Sequence, residues 1–189
     1  MRIISGNLKG SKLYLPKNKE TRPLKDLVKE SIFNLLIHSK EISFKLEEST
    51  ILDLFSGTGS FGLECLSRKA KKVYFIEKKN EIIEILKKNI DKLKLVKKTR
   101  IFSEDVFSFI EKNNIFNLQF ELIFCDPPFK NSNMHEMIRL IFDKKLLKHN
   151  GIIILHRNKN TKEIMPKFFK IIDERNYGIS KIILGKFLP

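Results

Sequence analysis

The chain has 189 residues, enough for one α/β domain with a sizeable core and little more. No apolar run approaches the roughly 18 residues of a membrane span, and the first ten residues lack the apolar region of a signal peptide. Only two cysteines occur, Cys65 and Cys125, and the four histidines are scattered. This pattern favours a reduced, cytoplasmic protein and predicts no metal site.

The net charge of +15 suggests a polyanionic partner such as nucleic acid. Of the 37 basic residues only seven are Arg, and the chain is also rich in Ile, Asn and Phe. That composition is equally typical of proteins encoded by AT-rich genomes. Charge alone therefore leaves nucleic-acid binding open.

Residues 1–50 are predicted to form an N-terminal extension that contacts RNA. Residues 1–16 indicate a short hairpin with its turn around Gly6–Gly10. From Leu24 to about Lys40 the spacing predicts a helix, whose apolar face consists of Leu27, Val28, Ile32, Leu35 and Leu36. Basic residues that could follow RNA phosphates are Arg2, Lys9, Lys12, Lys17, Lys19, Arg22 and Lys25. For any single Lys of this group, a solvated surface position is the simpler interpretation.

Residues 51–189 are predicted to form one domain in which strands alternate with helices. Strands are indicated at 51–55, 73–77, 99–103, 121–125 and 151–155, with helices that include 79–94 and 134–147. Two final strands, 170–175 and 179–187, flank a turn at 176–178. The predicted fold class is α/β: a doubly wound, mostly parallel seven-stranded sheet with one antiparallel strand from the C-terminal hairpin.

A glycine-rich loop follows the first predicted strand and leads into a helix. Gly57, Gly59 and Gly62 fit the pattern G-x-G-x-x-G, in which glycines allow a tight turn and close approach of the backbone to a ligand. Glu77, at the end of the second strand, is placed to bind ribose hydroxyls. A nicotinamide dinucleotide and S-adenosylmethionine (SAM) both fit these features.

Two further acids favour SAM. Asp53, inside the first strand, would repel a pyrophosphate but attract the cationic amino-acid end of SAM. Asp105 follows the third strand, where it can accept a hydrogen bond from an adenine amino group. Either acid could instead cap a helix, and for Asp105 both roles are compatible. The rest of the predicted cofactor site consists of Phe55, Thr58, Lys78 and Val106.

The stretch LIFCDPPFK, residues 122–130, predicts a site that holds an amine. Asp126 ends the fourth strand, where ligands bind in a doubly wound sheet. Pro127 and Pro128 fix the backbone and offer no N–H, so a carboxylate and a rigid carbonyl can together hold both hydrogens of an amine. Phe129, followed by Lys130, offers a face on which a planar base can stack. The alternative is an ordinary turn that ends a strand.

These motifs resemble the bacterial 16S rRNA guanine 2-amino methyltransferase family, a class I SAM-dependent family. Five segments have the family's order and spacing: MRIISGNLKGSKL, TRPLKDLVKESIFNLL, LDLFSGTGSFGLECLSRKA, VYFIEK and CDPPF. The resemblance covers nearly the whole chain. It implies a Rossmann-like fold, SAM as methyl donor and, as substrate, one guanine of small-subunit rRNA in an assembled or nearly assembled particle.

The resemblance also implies residue roles. Asp126 and the Pro127–Pro128 backbone would hold the guanine amine, and Phe129 would stack on the base. The predicted cofactor residues would bind the methionine, ribose and adenine parts of SAM. Thr21-Arg22-Pro23 would close over the active site. Four positions differ from the family's pattern: Leu24 where a Thr is usual, Lys29 where an Arg is usual, Lys69 where a Gly is usual, and His156 where the fifth strand usually ends in an acid.

Three other functions remain open from the sequence. One is an adenine-amine nucleic-acid methyltransferase, another is a nicotinamide-dependent oxidoreductase with the same glycine loop, and the third is a noncatalytic RNA-binding protein. We expect a monomeric, cytoplasmic enzyme that acts on rRNA within the small ribosomal subunit or a late assembly intermediate. It is expected to need neither a membrane nor a metal.

Overall fold

A computed structural model describes residues 1–16, 24–112, 117–128, 133–162 and 164–188. A seven-stranded sheet has the order β3-β2-β1-β4-β5-β7-β6. Its strands are β1 (Thr50–Leu54), β2 (Lys72–Glu77), β3 (Thr99–Ser103), β4 (Phe120–Cys125), β5 (Leu147–Asn158), β6 (Phe169–Tyr177) and β7 (Ser180–Phe187). Strands β1 to β5 are parallel, and β7 runs antiparallel to β5 and β6. The predicted doubly wound sheet with one antiparallel strand is confirmed.

Helices cover both faces of this sheet. They are α1 (Asp26–His38), α2 (Ser60–Ser67), α3 (Asn80–Lys92), α4 (Val106–Glu111) and α5 (Met134–Asp143), with a short 3-10 turn at Val96–Lys98. One buried cluster joins α1, α2 and α3 to the sheet and the other joins α4 and α5. Alternate residues of β1 enter different clusters, Ile51 the first and Leu52 the second. Burial on both faces explains why the central strands are continuous apolar runs in the sequence. Within the described residues, no helix has the length and apolar character to cross a membrane.

Most boundaries lie within two residues of the sequence prediction, and three elements differ more. Helix α5 ends at Asp143 instead of 147, because Lys145 adopts a left-handed conformation (φ +53°) and the chain turns into β5. Strand β5 has 12 residues and continues past the predicted 151–155, because its last residue, Asn158, pairs with Ser180 of β7. Residues 1–16, the N-terminal segment, form the predicted short hairpin with an isolated antiparallel bridge between Arg2 and Lys12 and without regular strands.

The buried face of helix α1 differs from the predicted one, because it includes Phe33 and the charged Lys29 and excludes Leu27. Val28, Ile32 and Leu36 are buried as predicted, whereas Leu27 is 66% exposed. Lys29 is instead fully buried. The hydrophobic pattern could not predict this, because a lysine enters a core only where a partner neutralises it.

That partner is Glu64 of α2, itself fully buried, whose Oε2 lies 3.3 Å from Nζ of Lys29. Glu64 also accepts hydrogen bonds from the backbone N–H groups of Ile4 and Ser5, at 2.8 and 2.9 Å. Nζ of Lys29 donates to the carbonyl of Arg2 at 2.8 Å. One buried ion pair therefore fastens the N-terminal segment to both α1 and α2.

Further hydrogen bonds tie the N-terminal segment to α2 and α3. The N–H of Asn7 donates to the carbonyl of Ser67 at 2.8 Å. The N–H of Tyr14 donates to Oδ1 of Asn89 at 2.7 Å, and Nδ2 of Asn89 donates to the carbonyl of Thr58 in the glycine loop at 3.0 Å. The segment thus shares a core and a hydrogen-bond network with the rest of the chain, while the domain boundary at residue 50 stays a prediction.

Local backbone geometry explains why a Gly is usual at the position of Lys69. It follows the C-terminal cap of α2 with φ +73°. The N–H of Lys69 donates to the carbonyl of Leu66 and the N–H of Ala70 to that of Cys65, at 3.1 and 3.0 Å. This hydrogen-bond pattern ends a helix with a left-handed residue, which is usually glycine because a Cβ is unfavourable there.

Candidate active site

A cavity of about 500 Å³ lies at the carboxyl ends of the central strands. It is lined by the segments that follow β1, β2, β3 and β4, and by residues of β5 and of the β6–β7 turn. The sequence-predicted residues that it brings together are Lys25, Asp53, Phe55, Gly57, Thr58, Glu77, Lys78, Asp105, Val106, Asp126, Pro127 and Pro128.

The three glycines of the loop have different structural roles. Gly57 lines the cavity with φ +53°, and no atom lies within 4 Å of where its Cβ would be. Gly59 (φ +83°) is not part of the cavity lining, and a Cβ there would lie 2.4 Å from Cδ1 of Leu86. A Cβ on Gly62 would lie 2.4 Å from Cε1 of Phe75. Gly57 therefore keeps the backbone open to a ligand, whereas Gly59 and Gly62 allow α2 to pack closely.

Glu77 is held by the main chain at both carboxylate oxygens. Its Oε2 accepts a hydrogen bond from the N–H of Gly57 at 3.0 Å. Its Oε1 accepts from the N–H groups of Lys78 and Lys79, at 2.9 and 3.0 Å. Each carboxylate oxygen can accept more than one hydrogen bond, so the group can still bind hydroxyls of a ligand in the cavity.

Asp53 is a buried acid in the cavity lining, 1% exposed. Its Oδ2 accepts a hydrogen bond from the N–H of Gly62 at 3.0 Å. Burial raises the pKa of Asp53 well above its usual range, the Gly62 N–H opposes this rise, and the charges of Asp126 and Glu77 add to it. A cationic group bound beside Asp53 would favour its ionised form.

Asp105 caps α4, as the sequence predicts. Its Oδ1 accepts a hydrogen bond from the N–H of Phe107 at 2.9 Å. Its Oδ2 lies 3.4 Å from Nζ of Lys78, a pairing that the sequence did not indicate. Val106 is buried and lines the cavity next to it. The acid thus lies on the cavity wall with one oxygen committed to the helix.

Asp126 follows β4 directly and faces the same cavity. Its N–H donates to the carbonyl of Leu54 at 3.4 Å, which connects the proline corner, residues 126–128, to the end of β1. Oδ1 of Asp126 lies 2.8 Å from Nδ1 of His156. Pro127 and Pro128 continue along the cavity wall. The acid and the two prolines therefore occupy the position that the sequence predicts for them.

His156 was not predicted as a site residue. It lies beside Asp126 because Leu155 of β5 pairs with Cys125 of β4, so the next residues of the two strands are neighbours. Ile179 and Ser180, in the β6–β7 turn and at the start of β7, line the same side and were also missed. No local motif marks any of the three, because each enters the site through pairing of distant strands.

The predicted substrate residues divide into three groups. Lys25 lines the cavity. Arg2, Lys9 and Lys12 are not in its lining, and Nε of Arg2 lies 3.5 Å from Asp26. The remaining predicted residues lie outside the described part of the chain: Thr21, Arg22, Pro23, Phe129 and Lys130. Among the residues that the structure describes, no group of three or more His, Cys, Asp or Glu side chains could hold a metal ion.

Solved structures of methyltransferases share this fold. The structure titled "Putative methyltransferase yhhF from Escherichia coli" superimposes with a TM-score of 0.84 at 28% identity, covering 99% of this chain and 97% of that one. SMU.776, a structure complexed with SAH, shares the fold at a TM-score of 0.66 and 17% identity, covering 83% of this chain and 48% of that one. Sheet order, glycine loop and strand-end acids define a class I SAM-dependent methyltransferase.

Sequence comparison gives the family. Residues 1–186 match the family model described as Conserved hypothetical protein 95, and the chain belongs to that family. Ribosomal RNA small subunit methyltransferase D of Haemophilus influenzae is 33% identical, over 95% of this chain and 90% of that protein. The Escherichia coli K12 protein of the same name is also 33% identical, over 81% of this chain and 72% of that protein.

Proposed function

We propose that the protein transfers a methyl group from SAM to the exocyclic 2-amino group of a guanine in small-subunit rRNA. The names of the Haemophilus influenzae and Escherichia coli relatives support the rRNA substrate. One observation carries the chemistry. Asp126, which follows β4 and precedes two prolines, shares a single cavity with Glu77 and Asp105, the acids at or just after the ends of β2 and β3. An amine held at Asp126 would therefore lie beside a bound nucleoside cofactor.

The side of the cavity formed by Asp53, Gly57, Glu77 and Asp105 is its cofactor half. Its acids suit a cofactor whose sulfonium and ammonium groups are cationic and would disfavour a pyrophosphate. Asp53 would hold the ammonium, Glu77 the ribose hydroxyls and Asp105 the adenine amine. Gly57 would let the backbone approach the cofactor. Further contacts would come from Phe55, Thr58, Lys78 and Val106, and Gly59 would act by shaping the loop.

Asp126, Pro127 and Pro128 form the substrate half of the cavity, together with His156 and Ser180. When bound, SAM supplies an electrophilic methyl group on sulfur. Asp126 would accept one N–H of the guanine amine, and a carbonyl of the proline corner would accept the other. Holding both hydrogens directs the nitrogen lone pair toward the cofactor half. Catalysis would come from positioning and fixed charge, with no covalent intermediate on the protein.

The RNA would approach over the N-terminal extension. Lys25 lies at the cavity, and Arg2, Lys9 and Lys12 lie on the segment that packs beside it. We assign Thr21, Arg22 and Pro23 to closure over the site, Phe129 to base stacking and Lys130 to a phosphate contact, on the family resemblance alone. We also propose that a monomer acts in the cytoplasm on the small ribosomal subunit or a late assembly intermediate.

The test is methyl transfer from radiolabelled SAM to unmodified small ribosomal subunits, followed by nucleoside analysis. Naked 16S rRNA, large subunits and the variant Asp126→Ala, which has no acceptor at this position, serve as comparisons. We expect label only as 2-methylguanosine, only in small-subunit RNA, and none with the variant. Label on adenine would replace the proposal with an adenine-amine methyltransferase. Binding of SAM without transfer to any of these RNAs would reject the substrate.

A further inference from the structure

The carboxylate of Asp126 contacts the imidazole of His156. Nδ1 of His156 lies 2.8 Å from Oδ1 of Asp126. The histidine side chain is 9% exposed and that of the aspartate 24%. Such a contact between a nearly buried ring and a partly exposed acid restricts the acid to one rotamer, because the ring itself is fixed by its surroundings.

The second ring nitrogen is fixed by another strand. Nε2 of His156 lies 2.8 Å from Oγ of Ser180, a buried residue at the start of β7. Strand β7 lies antiparallel beside β5, where Ser180 pairs with Asn158. Both ring nitrogens of His156 are thus held, one by the residue that follows β4 and the other by the first residue of β7. Its orientation follows from the sheet itself.

The hydrogen positions in the Asp126–His156–Ser180 contacts can be assigned from the chemistry of the three groups. An ionised carboxylate only accepts hydrogen bonds, so Nδ1 of His156 must carry a proton when Asp126 is ionised. Nε2 can then accept a hydrogen bond from the Ser180 hydroxyl, or donate to the same oxygen when the ring is protonated. Because a hydroxyl can do either, the contact with Asp126 is the same in both states of the ring.

The arrangement leaves one carboxylate oxygen for the substrate. Oδ1 of Asp126 accepts from His156, and within the described residues no donor contacts Oδ2. Asp126, His156 and Ser180 all line the cavity. In this geometry Oδ2 is the acceptor that an amine in the cavity would meet.

We propose that His156 is a positioning residue: held by Ser180, it fixes the rotamer of Asp126 so that Oδ2 receives the amine of the base. The inference rests on the proposed function, because it assigns Asp126 to the amine. It goes beyond that function in assigning the orientation of Asp126 to two side chains outside the Asp-Pro-Pro motif. In this role His156 would act through Asp126.

Two substitutions separate the two contacts of the ring. Nδ2 of an asparagine is as many bonds from the backbone as Nδ1 of histidine, and Nε2 of a glutamine as many as Nε2 of histidine. His156→Asn therefore keeps the donor to Asp126 and loses the contact with Ser180, whereas His156→Gln does the reverse. His149→Gln, an exposed position on the same strand, is the matched control.

We expect His156→Gln to lower kcat by about 10- to 100-fold, the range known for side chains that orient the ligands of a metal. His156→Asn should stay within about fivefold of the wild-type kcat, because a hydrogen bond to the acid remains. The dissociation constant of SAM and the unfolding midpoint should be similar in both variants. Equal kcat values for the two variants would overturn the inference. So would a loss of activity that is fully explained by a smaller fraction of folded protein.

A second readout needs no RNA. In ¹⁵N NMR spectra of the wild-type protein, His156 should carry its proton on Nδ1, and Asp126→Ala should abolish that preference. Ser180→Ala should leave the Nδ1 proton and change the Nε2 shift. A wild-type ring protonated only at Nε2 would reject the positioning role. If the NMR result holds but no RNA is methylated, the proposed substrate fails and the positioning of Asp126 stands.

Discussion

The two halves of the cavity hold their acids by different means. In the cofactor half Asp53, Glu77 and Asp105 each accept hydrogen bonds from backbone N–H groups. In the substrate half Asp126 is oriented by the side chain of His156, which in turn contacts Ser180. One half is built by the path of the main chain and the other by side chains from neighbouring strands.

Because of this difference, side-chain substitutions should affect the two halves of the cavity differently. Every residue except proline has a backbone N–H, so the three acids of the cofactor half keep these hydrogen bonds when neighbouring side chains are substituted. The orientation of Asp126 depends on two further side chains, each of which can be substituted while the strands stay paired. We therefore expect changes in the cofactor half to act on SAM binding and changes in the substrate half to act on kcat.

The largest effect should come from Asp126→Ala. Removing the proposed acceptor of the amine should lower kcat by at least about 10³-fold, as for other fixed groups that stabilise a transition state. SAM should still bind within about threefold, because the backbone contacts of the cofactor half do not involve this side chain. Single-turnover methyl transfer and calorimetry measure the two quantities. The exposed acid Asp143, changed to Ala, is the control, and a comparable loss of SAM affinity in Asp126→Ala would contradict the separation of the halves.

Glu77→Ala should act on the opposite half. It removes an acceptor for the N–H groups of Gly57, Lys78 and Lys79, along with the proposed ribose contact. SAM affinity should fall about 10- to 100-fold, the value of a lost hydrogen bond to a charged group, while kcat at saturating SAM changes little. Calorimetric titration with SAM measures the affinity, and Glu84→Ala, an exposed acid on α3, gives the baseline. An unchanged dissociation constant would remove Glu77 from the cofactor site.

Asp53 predicts a pH dependence of SAM binding. Its pKa is raised in the ligand-free protein, mainly by burial, so the acid keeps its proton to a higher pH than an exposed Asp. A bound ammonium group favours the ionised form, so binding should release a proton. Affinity should then rise with pH until Asp53 is ionised in the free protein, and stay level above that.

The measurement is calorimetry in buffers of different ionisation enthalpy across a pH series. Asp53→Asn keeps an oxygen for the N–H of Gly62, so it should bind SAM about tenfold more weakly, with no linked proton release from this site. Proton release of the same size in the variant would assign it to another group.

The smallest effect should come from Lys25→Ala at the cavity. If this lysine contacts one phosphate, KM for the RNA should rise about two- to threefold, and the slope of log KM against log salt should change by about one. The unfolding midpoint and SAM affinity should not change. Lys97→Ala, an exposed lysine in the 3-10 turn, is the comparison. Equal salt slopes in the two variants would assign Lys25 to the solvated surface.

Features with a local cause could be predicted from the sequence. The turn at Gly57, the carboxylate of Glu77 at a strand end and the cap formed by Asp105 each depend on residues a few positions away. The placement of Asp126 depends only on where β4 ends. The sheet followed from the same kind of pattern, because buried strands that alternate with helices have few ways to pack.

Features that depend on register or on a distant partner could not be predicted. His156 meets Asp126 because Leu155 pairs with Cys125, and a shift of one residue would turn its side chain to the other face of the sheet. Lys29 is buried because Glu64, on another helix, is buried opposite it. Each residue taken alone has the pattern of a polar surface position.

The ion pair between Lys29 and Glu64 also affects local unfolding of the N-terminal segment. An N-terminal segment without regular strands would ordinarily exchange its amide hydrogens quickly, through local fraying. The amides of Ile4 and Ser5 donate to Glu64, so releasing them removes two hydrogen bonds from a carboxylate that has no solvent to replace them. Their hydrogen exchange should therefore be as slow as that of the central strands. The start of the chain then belongs to the last cooperative unit to unfold, although it contains almost no secondary structure.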